Sequence, residues 1–326
     1  MSNARQNMKT QCLHSVLGEV DASAMRWIYP HEHLICLMDE FMGDTIANYP
    51  GNLEYLRREL VKRLVELREF NVNGLVDPLP MGIGRDEAYV AFCKQVSATT
   101  GIHIFLATGL YSADRWPPWA KEWSAEQLAD LFSRELEKGI PGTGVRPSVI
   151  KAAVGQEFGP NEEKVLTACA AAQRNSGASL HIHSTANRRE IVECLTGRGV
   201  NPSRIYLAHV DMNTSEDEFL WLADRGVRLV TTNWDFPHHM NQEEAYRLLK
   251  VLIGKGHLDK ILVSIDFAFG IASRWKVTID TWDNPERSSY SYLHTHVLPK
   301  LRVAGLTEPQ LETIMHDNPV RMLTRE

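Results

Sequence analysis

Val149-Ile150-Lys151-Ala152-Ala153 is followed by a stretch of helical period from Asn161 to Gly177 and then by Ser179-Leu180-His181-Ile182-His183. The two short runs rich in Val, Ile and Leu read as buried strands, and the segment between them is long enough for a crossover helix. Parallel strands require such a crossover, so this stretch reads as one strand-helix-strand unit of a parallel sheet. Outward in both directions the alternation recurs, with strands expected near residues 26–33, 73–79, 103–110, 147–154, 179–184, 204–210, 227–233 and 261–267. Helix ends are marked as well: Ser124 to Gly139, Asn161 to Gly177, and Asn241 to Gly254 or Gly256. Eight successive units without a break favour a closed (β/α)8 TIM barrel over an open doubly wound sheet, although pattern alone leaves the strand order open.

The chain has 326 residues, a length that such a barrel fills as one domain, with residues 1–10 read as a tag remnant or a flexible N-terminus because Ser2-Asn3-Ala4 resembles a cloning scar. A net charge of −6 with scattered basic residues offers no footprint for nucleic acid. No apolar run is long enough to cross a bilayer, and the N-terminus lacks the order of a signal peptide, so neither a membrane partner nor export is expected and the expected compartment is the cytoplasm. Five dispersed cysteines without a Cys-x-x-Cys pair read as free thiols.

His31-Glu32-His33 ends the first expected strand, where alternation turns both imidazoles to one face. The spacing is weak by itself, since 13 histidines give about half a His-x-His by chance. His294-Thr295-His296 lies in a helical segment, where residues two apart diverge, and reads as a decoy. In His181-Ile182-His183 both rings share a face, with His181 one layer deeper, so the ligand role goes to His183. The stronger signal is placement. His31 and His33, Lys151, His183, His209 and Asp266 lie at or near the ends of five different strands, on the barrel's catalytic face.

A lysine flanked by apolar residues on a buried strand has its charged form disfavoured. Its neutral amine can capture carbon dioxide as a carbamate, an anion able to bridge two metal ions; the plainer reading is an ammonium paired with a carboxylate. Asp211, two residues after His209, reads either as a carboxylate orienting a ligand imidazole from behind or as a plain loop residue.

At these residues the sequence resembles the phosphotriesterase-like family of the amidohydrolase superfamily, over essentially the whole chain. The family's strand-one His-x-His is similar to His31 and His33, its carboxylated lysine to Lys151, its two single histidines to His183 and His209, and its aspartate to Asp266. Val16-Leu17-Gly18, Gly84-Arg85-Asp86, Ala107-Thr108-Gly109-Leu110-Tyr111 and His316-Asp317-Asn318-Pro319 also resemble it. The resemblance implies two divalent ions, zinc first with manganese, cobalt or iron as alternatives, and N6-carboxylysine at Lys151. It also implies hydrolysis by a metal-bridging hydroxide. His31, His33 and Asp266 would hold the more buried ion, His183 and His209 the more exposed one, with Lys151 between them and Asp266 doubling as general base.

Tyr111 matches the tyrosine of the family's lactone-hydrolysing branches, which points to a lactone or carboxylic ester ahead of a phosphotriester. Thr231-Thr232-Asn233-Trp234-Asp235 departs from the His or Arg usual after the seventh strand. Loop residues expected near a small-molecule substrate are Tyr111, Trp234, Arg274 and Trp275, with Trp116, Trp119 and His238 as further candidates; the tryptophans could instead pack the loops. Arg274 suits an anionic group or, equally, a surface ion pair. Homodimers are common in the resembled family. Two competing readings stay open, an amide or carbamate hydrolase and a barrel that binds metal without catalysis. A serine hydrolase lacks its Gly-x-Ser-x-Gly elbow here.

Overall fold

The alternation of apolar runs and helical periods produces a sheet whose eight parallel strands follow one another in chain order. The computed structural model describes residues 11–37, 53–234, 242–273, 276–279 and 289–325. A hairpin of β1 (Cys12–Ser15) and β2 (Gly18–Asp21) packs against the start of the barrel, where Val16 N donates to Ile104 O at 2.9 Å. The barrel strands are β3 (Trp27–Tyr29), β5 (Val72–Asp77), β6 (His103–Gly109), β7 (Val149–Val154), β8 (Ser179–Ser184), β9 (Ile205–Ala208), β10 (Arg228–Thr231) and β11 (Ile261–Val263), each hydrogen-bonded to the next. An open doubly wound sheet would reverse this order at a switch point, and no reversal occurs. The fold is therefore the (β/α)8 barrel.

The first expected strand is interrupted. β3 ends at Tyr29, Pro30 has no N–H to give the ladder, and pairing resumes only in β4 (His33–Leu37), parallel to β12 (Ala268–Ser273). β12 in turn pairs with β13 (Lys276–Ile279). Between β3 and β11 the seam is closed by a side chain. The buried Glu32 carboxylate accepts from Ser264 Oγ at 2.7 Å, Ile265 N at 2.9 Å and Phe267 N at 2.6 Å, while His31 N donates to Ser264 Oγ at 3.1 Å.

Period-2 burial explains how β7 can hold a lysine. Ile150, Ala152 and Val154 join the outer core between sheet and helices, and Val149 joins an inner core with Val76, Phe105, Tyr206, Val230 and Leu262. Lys151 therefore projects into the barrel one layer above Val149. Gly109 at the end of β6 makes this approach feasible: its φ is +114°, and a Cβ there would sit 1.9 Å from Lys151 O.

The helices 87–100, 125–138, 160–176, 188–197, 216–224 and 242–254 alternate with the strands as expected. Ser124 and Gln127 form the capping box that starts one helix, and Gly139 ends it. The expected cap at Asn161 shifts to Gly159, because Pro160 already occupies the first helical position and Glu162 reaches back to Gly159 N at 3.0 Å. Asn241 lies outside the described residues. All five cysteines are free thiols, and among the described residues no helix is long and apolar enough to cross a membrane.

Candidate metal centre

The C-terminal ends of the strands bring the six expected ligands together. A cavity of about 120 Å³ is lined by His31, His33, Lys151, His183, His209 and Asp266, with Tyr111, Cys36, Ile83 and Ala268 completing its wall. Asp266 is the centre of the cluster. Its Oδ1 lies 3.3 Å from His31 Nε2 and 3.4 Å from His33 Nε2, and its Oδ2 lies 3.9 Å from His209 Nδ1. One donor atom each from His31, His209 and Asp266 falls within 4.8 Å of the others, close enough to share one cation. The His183 ring lies 4.2 Å from that of His209, and Tyr111 Oη is 3.5 Å from His183 Nδ1.

Both His209 and Asp266 adopt left-handed backbone, with φ of 62° and 52°. Such a conformation costs about 1–3 kcal/mol for a residue with a Cβ and persists only where the surroundings impose it. Glu32 imposes it on Asp266 by holding Ile265 N and Phe267 N on either side. For His209 the imposing group is Arg188, buried and ion-paired to Glu218, whose Nη2 donates to His209 O at 2.9 Å.

Behind the ligands lies a set of polar supports. His33 Nδ1 is 2.9 Å from Asp77 Oδ1, and Asp77 also accepts from Tyr89 Oη, Leu34 N and Leu79 N. This carboxylate–imidazole pair fixes the tautomer that presents Nε2 to the cavity. His209 Nδ1 pairs with Thr232 Oγ1 at 2.7 Å and leaves Nε2 buried without a partner among the described residues. That orphaned nitrogen in a cavity of ligand-type groups is what a metal site requires, so the residues present fit a cation.

Burial sets the electrostatics. Desolvation holds His31, His181 and His209 well below the ordinary histidine range and brings His183 down to about 3, so all four rings are neutral. His33 goes the other way: desolvation pulls it down, but Cys36 and Asp77 outweigh that and raise it well above the usual value. Burial brings Lys151 down to about 8, and among the described residues no carboxylate lies within ion-pair distance of its Nζ. Among the described residues, the plainer reading of Lys151 as half of an ion pair has no partner.

Several expectations change. Asp211 does not face a ligand imidazole; its carboxylate accepts from Thr232 N and Asn233 N and so shapes the turn whose Thr232 hydroxyl meets His209. Trp234 is buried against Tyr246 at 5.0 Å between ring centres and is absent from the cavity wall, so its bulk packs a helix where a substrate contact was expected. Trp116 donates to Tyr111 O at 2.8 Å, and Trp119 packs against Trp123 with the rings tilted by 58°. His238, Arg274 and Trp275 lie outside the described residues. His294 pairs with Tyr29 Oη and His296 stacks on Tyr292, both away from the cavity.

Sequence reasoning missed Asp77, Glu32 and Thr232. Asp77 carried a usable signal, a carboxylate at the C-terminal end of an apolar strand. Glu32 carried none, since alternation places it opposite the two histidines.

A family model described as the phosphotriesterase family matches residues 11–323. A phosphotriesterase homology protein of Mycobacterium tuberculosis (strain CDC 1551 / Oshkosh) is 27% identical, over 96% of this chain and 98% of its own length. The N-acetyltaurine hydrolase of Homo sapiens is 26% identical, over 96% and 97%. A solved structure from the engineering of organophosphate hydrolysis on a weak promiscuous lactonase template superposes with a TM-score of 0.84 at 25% identity, covering 96% of this chain and 99% of that one. With the barrel, the ligand cluster and a family match over nearly its full length, the chain belongs to the phosphotriesterase family of metal-dependent hydrolases.

Proposed function

We propose that this chain is a binuclear hydrolase of small neutral esters, with a lactone or carboxylic ester as the favoured substrate and a phosphotriester as a weaker one. The observation that carries this reading is the convergence of four imidazoles, one carboxylate and one buried lysine on a single cavity. His31, His33 and Asp266 would hold one ion, His183 and His209 the other, and Lys151 would bridge them as N6-carboxylysine; zinc is the first choice of metal, ahead of manganese, cobalt and iron. With an amine titrating near 8, about a tenth is neutral at pH 7 and available to attack carbon dioxide, forming the N–C bond and releasing a proton. Two divalent ions, when bound, bring the pKa of a shared water towards neutrality and polarise the oxygen of the scissile bond.

The remaining work falls to side chains. Asp266, a quarter exposed, accepts the proton of the attacking water and passes it to the cavity mouth. Tyr111 offers a hydroxyl from the wall beside His183, and burial keeps that hydroxyl protonated by raising its pKa. Cys36, Ile83 and Ala268 give the wall an apolar stretch suited to an acyl chain.

Similarity to the human N-acetyltaurine hydrolase supports amide hydrolysis as the second reading. Purified protein supplied with zinc, manganese or cobalt is to be profiled against lactones, carboxylic esters, phosphotriesters and N-acyl amides. Turnover of esters at least tenfold above amides is expected; strong amide turnover without esterase or lactonase activity would reverse the ranking. Fewer than two ions per chain at saturation would remove the binuclear centre.

A further inference from the structure

His181 is the one member of the histidine cluster that no ligand role absorbs. It sits on β8 two residues before His183, faces the same way, and is fully buried. Its register partners are Lys151 and Tyr206, which place it between the cavity and the apolar inner core. Its Nε2 lies 2.9 Å from His31 Nδ1, with ring centres 4.7 Å apart. Its own Nδ1 has no partner among the described residues.

We propose that His181 is a positioning residue, the acceptor that locks His31 in the tautomer able to offer Nε2 to a cation. This rests on the binuclear reading above. Between two neutral imidazoles joined by one hydrogen bond, only one of the facing nitrogens carries the proton. If His31 carries it on Nδ1, the bond runs from His31 to His181 Nε2, and His31 Nε2 keeps its lone pair facing the cavity beside Asp266. If His181 carries it, His31 has its proton on Nε2, where it blocks the ligand position. The first arrangement leaves the His181 Nδ1–H buried without an acceptor among the described residues. A residue selected for packing alone would not keep such a nitrogen there, and an aliphatic side chain would fill the same layer.

The ligating histidines of metal sites rely on partners of this kind, whose loss lowers metal affinity by about 10- to 100-fold. The test compares His181→Leu, His181→Gln and His181→Asn in the full-length protein. Metal affinity is read by chelator competition, the geometry of the bound ions by the absorption spectrum of the cobalt form, and folding by the metal-free melting temperature. Leu removes the acceptor, Gln restores an oxygen near the place of Nε2, and Asn is too short to reach. Expected are a 10- to 100-fold loss of affinity for one of the two ions in the Leu and Asn variants, an altered cobalt spectrum, and recovery to within about threefold of wild type in Gln. The Leu variant should melt no lower than wild type without metal. Equal affinities across all four proteins would overturn the proposal, and so would a Gln variant that folds normally but binds as weakly as Asn. If Leu fails to fold, Gln against Asn decides the matter. Failure of the wild type itself to bind two ions would instead strike at the binuclear reading.

Discussion

Replacing Asp77 by Asn keeps the shape of the side chain but turns one acceptor oxygen into a donor. In the native protein Oδ1 accepts from His33 Nδ1 at 2.9 Å and Leu79 N at 3.2 Å, while Oδ2 accepts from Tyr89 Oη and, at 3.3 Å, from Leu34 N. The amide will turn its oxygen to His33, and Tyr89 can rotate its hydroxyl to accept, but Leu34 N–H then faces an NH2 group. An orphaned buried N–H costs about 1–3 kcal/mol, and exchanging a charged for a neutral acceptor at His33 about 1 kcal/mol more. At roughly 2–4 °C per kcal/mol, the metal-free melting temperature should fall by about 4–16 °C.

Metal affinity carries two opposed effects. Loss of the carboxylate behind His33 weakens ligation by about 10- to 100-fold, equivalent to about 1.4–2.7 kcal/mol. Because Asp77 also helps hold the His33 pKa well above the ordinary value, the variant sheds a competing proton, which offsets part of that loss near neutrality. Raising the pH weakens the proton's competition in the wild type. Chelator competition at pH 7 and pH 9 should therefore show a larger wild-type-to-variant ratio at pH 9. Equal affinities at both pH values, or an unchanged melting temperature, would refute the role assigned to Asp77.

Glu32→Ala leaves Ser264 Oγ, Ile265 N and Phe267 N without their shared acceptor, at about 1–3 kcal/mol for each donor that water cannot reach. A melting temperature more than 10 °C lower by scanning calorimetry is expected, and an unchanged value would show that the seam closes without the carboxylate. Tyr111→Phe should lower kcat/KM for the preferred ester by about tenfold at unchanged metal content, the worth of one lost hydrogen bond of about 1.4 kcal/mol; unaltered kinetics would take Tyr111 off the substrate side. His31, His181, His183 and His209 stay neutral in the fold but take protons when unfolded, so metal-free stability is lost as pH falls below about 6.5, by up to about 1.4 kcal/mol per pH unit for each ring. Urea midpoints that stay flat between pH 7 and pH 5 would contradict this. Metal uptake at pH 7 should release about three to four protons, one from His33, two as the Lys151 ammonium and carbon dioxide become a carbamate, and up to one from the shared water, measurable by calorimetry in buffers of different ionisation enthalpy. Excluding carbon dioxide should remove about two of them.

The parts of the site legible in the sequence are those that obey a period. Lys151 and His183 are readable because β7 and β8 are regular, so that alternation turns the residue after an outward Ile150 or Ile182 to the inside. The other ligands leave the pleat and are legible only from their placement after apolar runs, and a support such as Thr232 lacks even that signal. His31 stands in the bend between β3 and β4, His209 and Asp266 stand in left-handed turns just past β9 and β11, and Thr232 follows β10. Where backbone leaves the pleat, alternation says nothing about direction, and partners such as Glu32 with Phe267 meet across 235 residues of sequence. Trp234 shows the converse error: a large aromatic in a loop looks like a substrate contact, but its size equally suits the gap beneath a helix.

Protons and metal ions compete for the same nitrogen lone pairs, so whatever lowers the basicity of an imidazole in the metal-free protein also removes a competitor for the cation. At His183, His209 and His31 that competitor is absent at neutral pH, since a single proton brought into this buried space would be an uncompensated charge. His33 differs because Asp77 supplies the compensating charge from behind. The same carboxylate that orients His33 towards a metal thus loads it with a proton first. On the proposed binuclear reading, an ion held by His31, His33 and Asp266 would displace that proton, whereas the His183 and His209 rings would give up none. The two sets of imidazoles would then differ in their response to acid even though they share one cavity, and the asymmetry would arise from Cys36 and Asp77 beside His33.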